Sequence, residues 1–228
     1  MVKESKFKKE VLLSLKEIKN ETYGSGKFFS VPIFKDGEKV ALLIPLTKKN
    51  LENNEENKKI VKLLGKWREQ NARWFDIFKV TEEGTKKWLK EKVVNCDDRI
   101  LFLIKTTDGS IVGHIGFFRF DFEGHSCELD NVMRGEKSSV PGLMTYVTKT
   151  LLEWAFKEFK LKKITLRTFS DNEKAKALYE RCGFKKLKDI SLEKIVGVDS
   201  VRWEEMPENS SKTADRYFSQ YIIKNHKR

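Results

Sequence analysis

Residues 172–184 read NEKAKALYERCGF and carry the strongest fold signal in the 228-residue chain. Gly183 suits the left-handed position just past the end of a helix, and Ser170 with Glu173 matches a capping box at its start. Four apolar residues repeat at helical spacing: Ala175, Leu178, Tyr179 and Cys182. The preceding residues 163–169, KITLRTF, have the composition of a buried strand. The sequence therefore predicts a strand that leads directly into a short amphipathic helix.

A second strand-to-helix connection lies upstream. Residues 125–133, HSCELDNVM, predict a strand, and apolar residues recur at helical spacing through residues 141–160. The proline at the start of this segment fits the first position of a helix. The N-terminal amides of such a helix suit a diphosphate, because they lack partners and lie at the positive end of the dipole. Gly135 and Gly142 would let phosphates approach the backbone, and Arg134 would add positive charge.

The rest of the chain predicts an α/β protein with a mixed, mostly antiparallel sheet. Further helices are predicted at residues 3–19, 51–70 and 81–89. Further strands are predicted at residues 27–34, 38–46, 99–105, 111–120, 186–195 and 217–224. The pair Asp36-Gly37 favours a tight hairpin turn between the first two of these strands. Residues 199–212 are expected to be irregular.

The composition argues against several classes of function. The net charge is +12, but the 46 basic residues are interleaved with 34 acidic ones and match no nucleic-acid-binding motif, so no nucleic-acid partner is expected. Three isolated cysteines and three histidines without ligand spacing predict neither disulfides nor a metal site. The sequence contains no long apolar run and no secretory signal, which predicts a cytoplasmic protein without membrane contact.

The chain carries two linked motifs, Arg134-Gly135 … Pro141-Gly142 and Asn172-x-x-Ala175-x-x-Leu178-Tyr179-Glu180-x-x-Gly183-Phe184. Together they resemble the GNAT family of acyl-CoA-dependent N-acetyltransferases. The resemblance covers about residues 101–184, with a looser match back to about residue 43. The first motif departs from the family pattern, because its loop is longer and has serines in place of a central glycine. The resemblance implies a GNAT fold over residues 41–228, a twisted sheet flanked by helices, preceded by an extension of helix and strand over residues 1–40.

The resemblance also implies acetyl-CoA as the acyl donor. In the family, the strand before the phosphate loop splays from its neighbour, and the pantetheine arm of the cofactor lies in the gap. The implied cofactor contacts are Asn131, Val132, Met133, Arg134, Gly135, Pro141, Gly142, Leu143, Met144, Asn172, Ala175 and Tyr179. Tyr179 has the family position of the acid that protonates the departing thiolate, and its alternative role is core packing.

The base that accepts the proton of the amine is less defined. Glu128 and Asp130 alternate to the same face of one strand, so either carboxylate could act, and Glu128 is the preferred candidate. The other interpretation is that both carboxylates are solvated or pair with Arg119 or Arg167. Two histidines whose ordinary pKa suits a base are His114 and His125.

The acceptor is the least defined part of the prediction. Residues 66–89 are similar to the subgroup that contains protein N-terminal acetyltransferases and amino-sugar enzymes. The predicted acceptor contacts are Trp67, Arg68 and His114. The preferred acceptor is an anionic small-molecule amine, a nucleotide-linked amino sugar. The alternatives are a protein N-terminus and a module that binds acyl-CoA without catalysis. Residues 1–40 are expected either to cover the acceptor site or to form a homodimer.

Overall fold

The computed structural model describes residues 5–21 and 29–225. The sequence Gly24-Ser25-Gly26, which predicts a break after the first helix, lies outside them. Its α-helices are α1 (Lys6–Asn20), α2 (Glu55–Gln70), α3 (Glu82–Trp88), α4 (Leu143–Glu158) and α5 (Glu173–Arg181). Its strands are β1 (Val31–Lys35), β2 (Glu38–Pro45), β3 (Ile77–Phe78), β4 (Ile100–Thr106), β5 (Ile111–Asp121), β6 (Ser126–Arg134), β7 (Lys163–Phe169), β8 (Lys185–Val196), β9 (Ser200–Glu205) and β10 (Arg216–Lys224). A π-helical turn, Leu89–Val94, continues α3.

The described strands form one sheet in the order β1-β2-β4-β5-β6-β7-β10-β8-β9-β3. Every neighbouring pair is antiparallel except β6 and β7, which are parallel. The predicted mixed and mostly antiparallel sheet is therefore confirmed. Asp36 and Gly37 both have positive φ, 50° and 85°, as the predicted tight turn between β1 and β2 requires.

Helices cover both faces of the sheet, which is why β4 is apolar at five successive residues, 100–104. Ile100, Phe102 and Ile104 belong to a core that α1, α4 and α5 share. Leu101 and Leu103 point the other way, into a second core with α2 and the π-helical turn. Because α1 contributes buried residues to the first core, the N-terminal extension and the rest of the chain share one hydrophobic interior.

The parallel pair β6 and β7 opens along its length. Its register ends at Glu128 and Thr165, the third residue of each strand, and β7 then continues beside β10 alone. The remainder of β6, from Leu129 to Arg134, pairs only with β5 among the described strands. This is the splay expected for the strand that precedes the loop, and it leaves a gap in the middle of the sheet.

The start of α4 differs from the prediction. The helix begins at Leu143, and its N-cap is Gly142, which has a φ of 73° that only glycine adopts readily. Pro141 therefore lies in the loop before the cap and does not occupy the first helical position. The proline signal located the connection but placed the helix two residues early.

The start of α5 also differs, whereas its end is as predicted. Asn172 caps the helix by accepting a hydrogen bond from the Ala175 amide at 3.2 Å, so the predicted Ser170 capping box is wrong. At the other end Gly183 has a φ of 95°, and the Phe184 amide donates to the Tyr179 carbonyl at 3.1 Å. A further correction concerns residues 200–205, which form β9 and pair with β8 where irregular structure was expected.

Candidate active site

A cavity of about 1270 Å³ occupies the opening between β6 and β7. Its wall has two parts. Residues from 131–145 and 172–181 line what we call the cofactor half, and residues from 68–88 and 203–205 line the acceptor half together with side chains of the neighbouring strands. Both candidate carboxylates and the candidate acid lie in this one wall.

Glu128 lies where the parallel pairing ends, and its carboxylate is held by two arginines. Arg167 donates from Nε to Oε1 at 3.1 Å and from Nη2 to Oε2 at 3.0 Å. Arg119 donates from Nη1 to Oε2 at 3.2 Å. Burial raises the pKa of Glu128 to about 7, against the opposing charge of Arg119, and the charge of Asp130 adds to the rise. Glu128 is therefore both paired with arginines and able to exchange a proton near neutral pH.

Asp130 follows two residues later on the same face of β6, as predicted. Its Oδ2 accepts a hydrogen bond from Arg99 Nη2 at 2.6 Å, and the guanidinium of Arg99 lies over the ring of Phe118 at 3.9 Å. This pair is largely withdrawn from solvent. Asp130 therefore pairs with Arg99 and with neither of the two arginines considered from the sequence.

Tyr179 lines the cofactor half from α5 and is 6 % exposed. Its ring packs edge-on against Phe184, with the ring centroids 6.0 Å apart. Burial raises the pKa of Tyr179 above its ordinary value, and the charge of Asp130 adds to that rise. The hydroxyl therefore stays protonated at neutral pH, which is the form that a proton donor needs. The side chain packs in the core and also reaches the cavity.

A β-bulge, which the sequence analysis missed, shapes the edge of β6. Asn131 and Val132 together lie opposite the single residue Ile115 of β5, and Asn131 has a φ of 51°. The carbonyl oxygen of Asn131 is 2.7 Å from Nδ1 of His114. Since a carbonyl only accepts, Nδ1 carries the proton. His114 thus supports the bulge from within the sheet.

Trp67 and His114 are not part of the cavity wall, so their prediction as acceptor contacts is wrong. Trp67 is fully buried, and its Nε1 donates to Glu136 Oε1 at 3.1 Å. His114 is 5 % exposed, and burial lowers its pKa to about 4, which keeps it neutral and removes it as a base candidate. His125 stacks on Phe7 and also lies outside the wall.

Gly135 requires a second correction. Its amide donates to the Val112 carbonyl at 2.9 Å, and it does not line the cavity. A Cβ at this position would lie 1.9 Å from the Trp67 ring. Glycine is needed here for the packing of that ring and not for the approach of a phosphate. The other predicted cofactor contacts all line the cavity: Asn131, Val132, Met133, Arg134, Pro141, Gly142, Leu143, Met144, Asn172, Ala175 and Tyr179.

The cofactor half has the charge and backbone geometry that a diphosphate requires. The start of α4 lies in its wall, so the N-terminal amides and the positive end of the helix dipole are close to the cavity. Its charged residues are three cations, Arg134, Lys174 and Arg181, and one acid, Glu136. That acid is bonded to Lys66 and Trp67 of α2. These residues fit coenzyme A: the start of α4 would hold its phosphates, and the opening of the sheet would accommodate its extended arm.

The wall of the acceptor half contains Arg68, together with side chains that the sequence analysis did not assign to it. Its aromatic residues are Trp74, Phe75, Trp88, Phe169, Trp203 and Phe218. Its other arginines are Arg99, Arg119 and Arg167. The described residues of α1 do not line the cavity. These side chains come from segments more than 100 residues apart, and no local spacing links them.

The family profile named "Acetyltransferase (GNAT) domain" matches residues 55–185. That segment includes α2 and both strand-to-helix connections. Among curated proteins, no sequence matches this chain. No helix among the described residues is long and apolar enough to cross a membrane.

Solved structures show the same fold at low sequence identity. The spermidine N-acetyltransferase from Vibrio cholerae, in complex with CoA and spermine, is 15 % identical with a TM-score of 0.55 and covers 81 % of this chain and 95 % of its own. A dodecameric structure of that enzyme in an intermediate state is also 15 % identical, with a TM-score of 0.56, and covers 81 % of this chain and 93 % of its own. At this identity the likeness concerns the fold alone.

Proposed function

Since this chain belongs to the GNAT acetyltransferase family and is an acetyl-CoA-dependent N-acetyltransferase, we propose that it transfers the acetyl group directly to a primary amine of a small molecule. One observation carries the proposal. The opening of the β6–β7 pair brings a carboxylate with a pKa near 7 and a protonated tyrosine into the wall of one cavity. Direct transfer needs one group to accept a proton and another to donate one.

Glu128 is the proposed base. An amine attacks only as the neutral form, so its proton must leave, and a carboxylate with a pKa of about 7 is well matched to accept it near neutral pH. Arg167 and Arg119 both donate to Oε2, whereas Oε1 accepts only from Arg167, which leaves Oε1 a further lone pair for the amine or a bridging water. Asp130 is the weaker candidate, because Arg99 holds it at 2.6 Å.

Tyr179 is the proposed acid. Acetyl-CoA supplies an acetyl group held as a thioester, and the thiolate that departs needs a proton at sulfur. The Tyr179 hydroxyl keeps its proton at neutral pH because burial raises its pKa. Packing against Phe184 fixes the ring, so the hydroxyl can be presented to the opening at little entropic cost.

For the acceptor, we favour an anionic amine, with a nucleotide-linked amino sugar as the leading class. The family resemblance suggests this class, and the Trp88 ring of the acceptor half offers a flat surface for a base or sugar ring. The two carboxylates nearest the opening are already neutralised by arginines, so they hold little free negative charge to bind a cationic acceptor.

A polyamine is the second candidate. The solved structures of similar fold include a spermidine N-acetyltransferase in complex with CoA and spermine. Three exposed acids of this chain, Asp76, Glu204 and Glu205, lie in the wall of the acceptor half and could hold a distal ammonium group.

The test is thiol release from acetyl-CoA with a panel of acceptors: UDP-linked 4-amino sugars, spermidine, spermine and peptides with a free N-terminus. Release with a small-molecule amine, with acetylated product confirmed by mass spectrometry, supports the proposal. Release with peptides alone would replace it with the protein-directed alternative. Binding of acetyl-CoA without release for any acceptor would indicate a module that binds the cofactor without catalysis.

A further inference from the structure

The acceptor half contains four arginines, and three of them form ion pairs with carboxylates. Arg99 pairs with Asp130, Arg119 pairs with Glu128, and Arg167 pairs with Glu128 and Glu205. Arg68 is the exception among the described residues, since no carboxylate oxygen lies within 4.0 Å of its guanidinium. The nearby charge of Asp76 acts on Arg68 only at longer range.

Arg68 is held in place by groups that do not neutralise it. Its Nη2 donates to the main-chain carbonyl of Asp76 at 3.1 Å. Its guanidinium lies 4.1 Å from the ring centroid of Phe75 and 5.0 Å from that of Phe78. Arg68 lines the cavity, and its remaining nitrogens are not among the fully buried, unpartnered atoms of the described residues. Burial lowers the pKa of Arg68 to about 10, which leaves it cationic at neutral pH.

Arginine guanidinium groups already lie over most of the aromatic rings of the acceptor half. The guanidinium of Arg216 lies over Phe169, Trp203 and Trp74 at 3.5, 5.3 and 5.5 Å from the ring centroids. Arg167 lies 5.9 Å from the centroid of Phe218. With Arg68 over Phe75, five of the six rings have a guanidinium over them, and no arginine within residues 5–21 and 29–225 lies over Trp88. Such rings have little capacity left to cage the ammonium group of a cationic substrate.

We propose that Arg68 is an anion-binding residue for the acceptor, and that it selects amines bearing a phosphate or carboxylate group. The inference rests on the proposed acetyl transfer and narrows its substrate class. A preorganised guanidinium with free donors can make paired hydrogen bonds to either anion. The acceptor amine then lies toward Glu128 and its anionic group toward the end of α2.

The test compares Arg68→Gln and Arg68→Lys with Lys62→Gln, which removes one positive charge from an exposed position on the same helix. Three acceptors are used: a UDP-linked 4-amino sugar for phosphate, the dipeptide Gly-Glu for carboxylate, and spermidine as a cation. We expect Arg68→Gln to raise the KM of the acetylated anionic acceptor about tenfold or more, because a charge-assisted pair is lost. Arg68→Lys should recover part of the loss, and Lys62→Gln should match the wild type.

A response to phosphate alone or to carboxylate alone identifies which anion Arg68 binds. An equal loss for spermidine, an unchanged KM for both anionic acceptors, or wild-type turnover of spermidine alone would overturn the proposal. A separate titration of acetyl-CoA by calorimetry distinguishes this failure from failure of the proposed function. If acetyl transfer occurs and Arg68→Gln is without effect, only the anion site is wrong. If no acceptor releases thiol, both proposals are wrong.

Discussion

Arg167 donates a hydrogen bond to each carboxylate oxygen of Glu128 across the point where β6 and β7 diverge. The two hydrogen bonds are 3.1 and 3.0 Å long, and the two side chains are each less than one-fifth exposed. Main-chain pairing between the strands ends at Thr165, two residues before Arg167. The two hydrogen bonds from Arg167 to Glu128 therefore link the strands through side chains where the sheet opens. The remaining nitrogen of Arg167 contacts Glu205 on β9. The carboxylate is therefore fixed in direction at the mouth of the gap.

Replacing Glu128 by Gln should abolish most of the activity. Gln keeps the shape but accepts no proton, so we expect kcat to fall by about 100-fold or more. In the wild type, kcat/KM should fall as pH drops through about 7, because a carboxyl with a raised pKa is protonated below that value and cannot act as a base. The pH profile of initial rates checks both points. A variant with the wild-type profile would remove Glu128 from the mechanism.

Replacing Arg167 by Met should affect the pH profile as well as the rate. The positive charge favours the ionised carboxylate, so its loss raises the pKa of Glu128 and moves the acidic limb of kcat/KM to higher pH. We expect kcat at pH 7 to fall about tenfold, with partial recovery in Arg167→Lys, since Lys restores charge but not the two-point fork. The control is Lys188→Met, which breaks an ion pair with Glu208 outside the cavity wall. A drop in kcat without a shift of the acidic limb of kcat/KM would argue against a role of Arg167 in setting the pKa of Glu128.

Replacing Tyr179 by Phe should lower turnover and leave coenzyme A affinity nearly unchanged. The ring packing against Phe184 is retained, and only the hydroxyl is lost. We expect kcat to fall by about 10- to 100-fold, because the thiolate must then take its proton from water. Calorimetry with coenzyme A and steady-state rates measure the two quantities separately. Equal kcat in both proteins would leave Tyr179 with its packing role alone.

Replacing Gly135 by Ala should destabilise the protein through Trp67. The added Cβ would lie 1.9 Å from the buried indole, so the ring or the loop must move. Overpacking of this kind typically costs about 1–3 kcal/mol of unfolding free energy. Chemical denaturation measures the loss. If Gly135 instead contacts phosphate, coenzyme A affinity would fall while stability is kept.

Local sequence patterns were enough to predict the strand-to-helix connections that define the fold. Alternation placed Glu128 and Asp130 on one face, and Gly183 marked the end of α5 with its left-handed φ. Caps were harder to assign, because Ser170 and Asn172 are both good capping residues and only the path of the chain decides between them.

The parts of the site that sequence could not predict depend on contacts between distant segments. Nothing near His114 indicates that its Nδ1 meets the carbonyl freed by the bulge at Asn131. Tryptophan side chains commonly stack on ligands, yet the indole of Trp67 is buried and packs against Gly135. The arginines that pair with Glu128 and Asp130 reach the cavity from separate segments of the chain. Pairing with Arg119 or Arg167 was visible from sequence only as one alternative, and Arg99 was not considered.

The most direct test of the account is a single experiment on the purified protein. Acetyl-CoA and the acceptor panel are incubated at several pH values, and thiol release and acetylated product are measured together for the wild type and Glu128→Gln. The account predicts equal amounts of thiol and N-acetylated small molecule, rising with pH through about 7, and a loss of about 100-fold or more in the variant. Bound acetyl-CoA with no thiol release for any amine would contradict it.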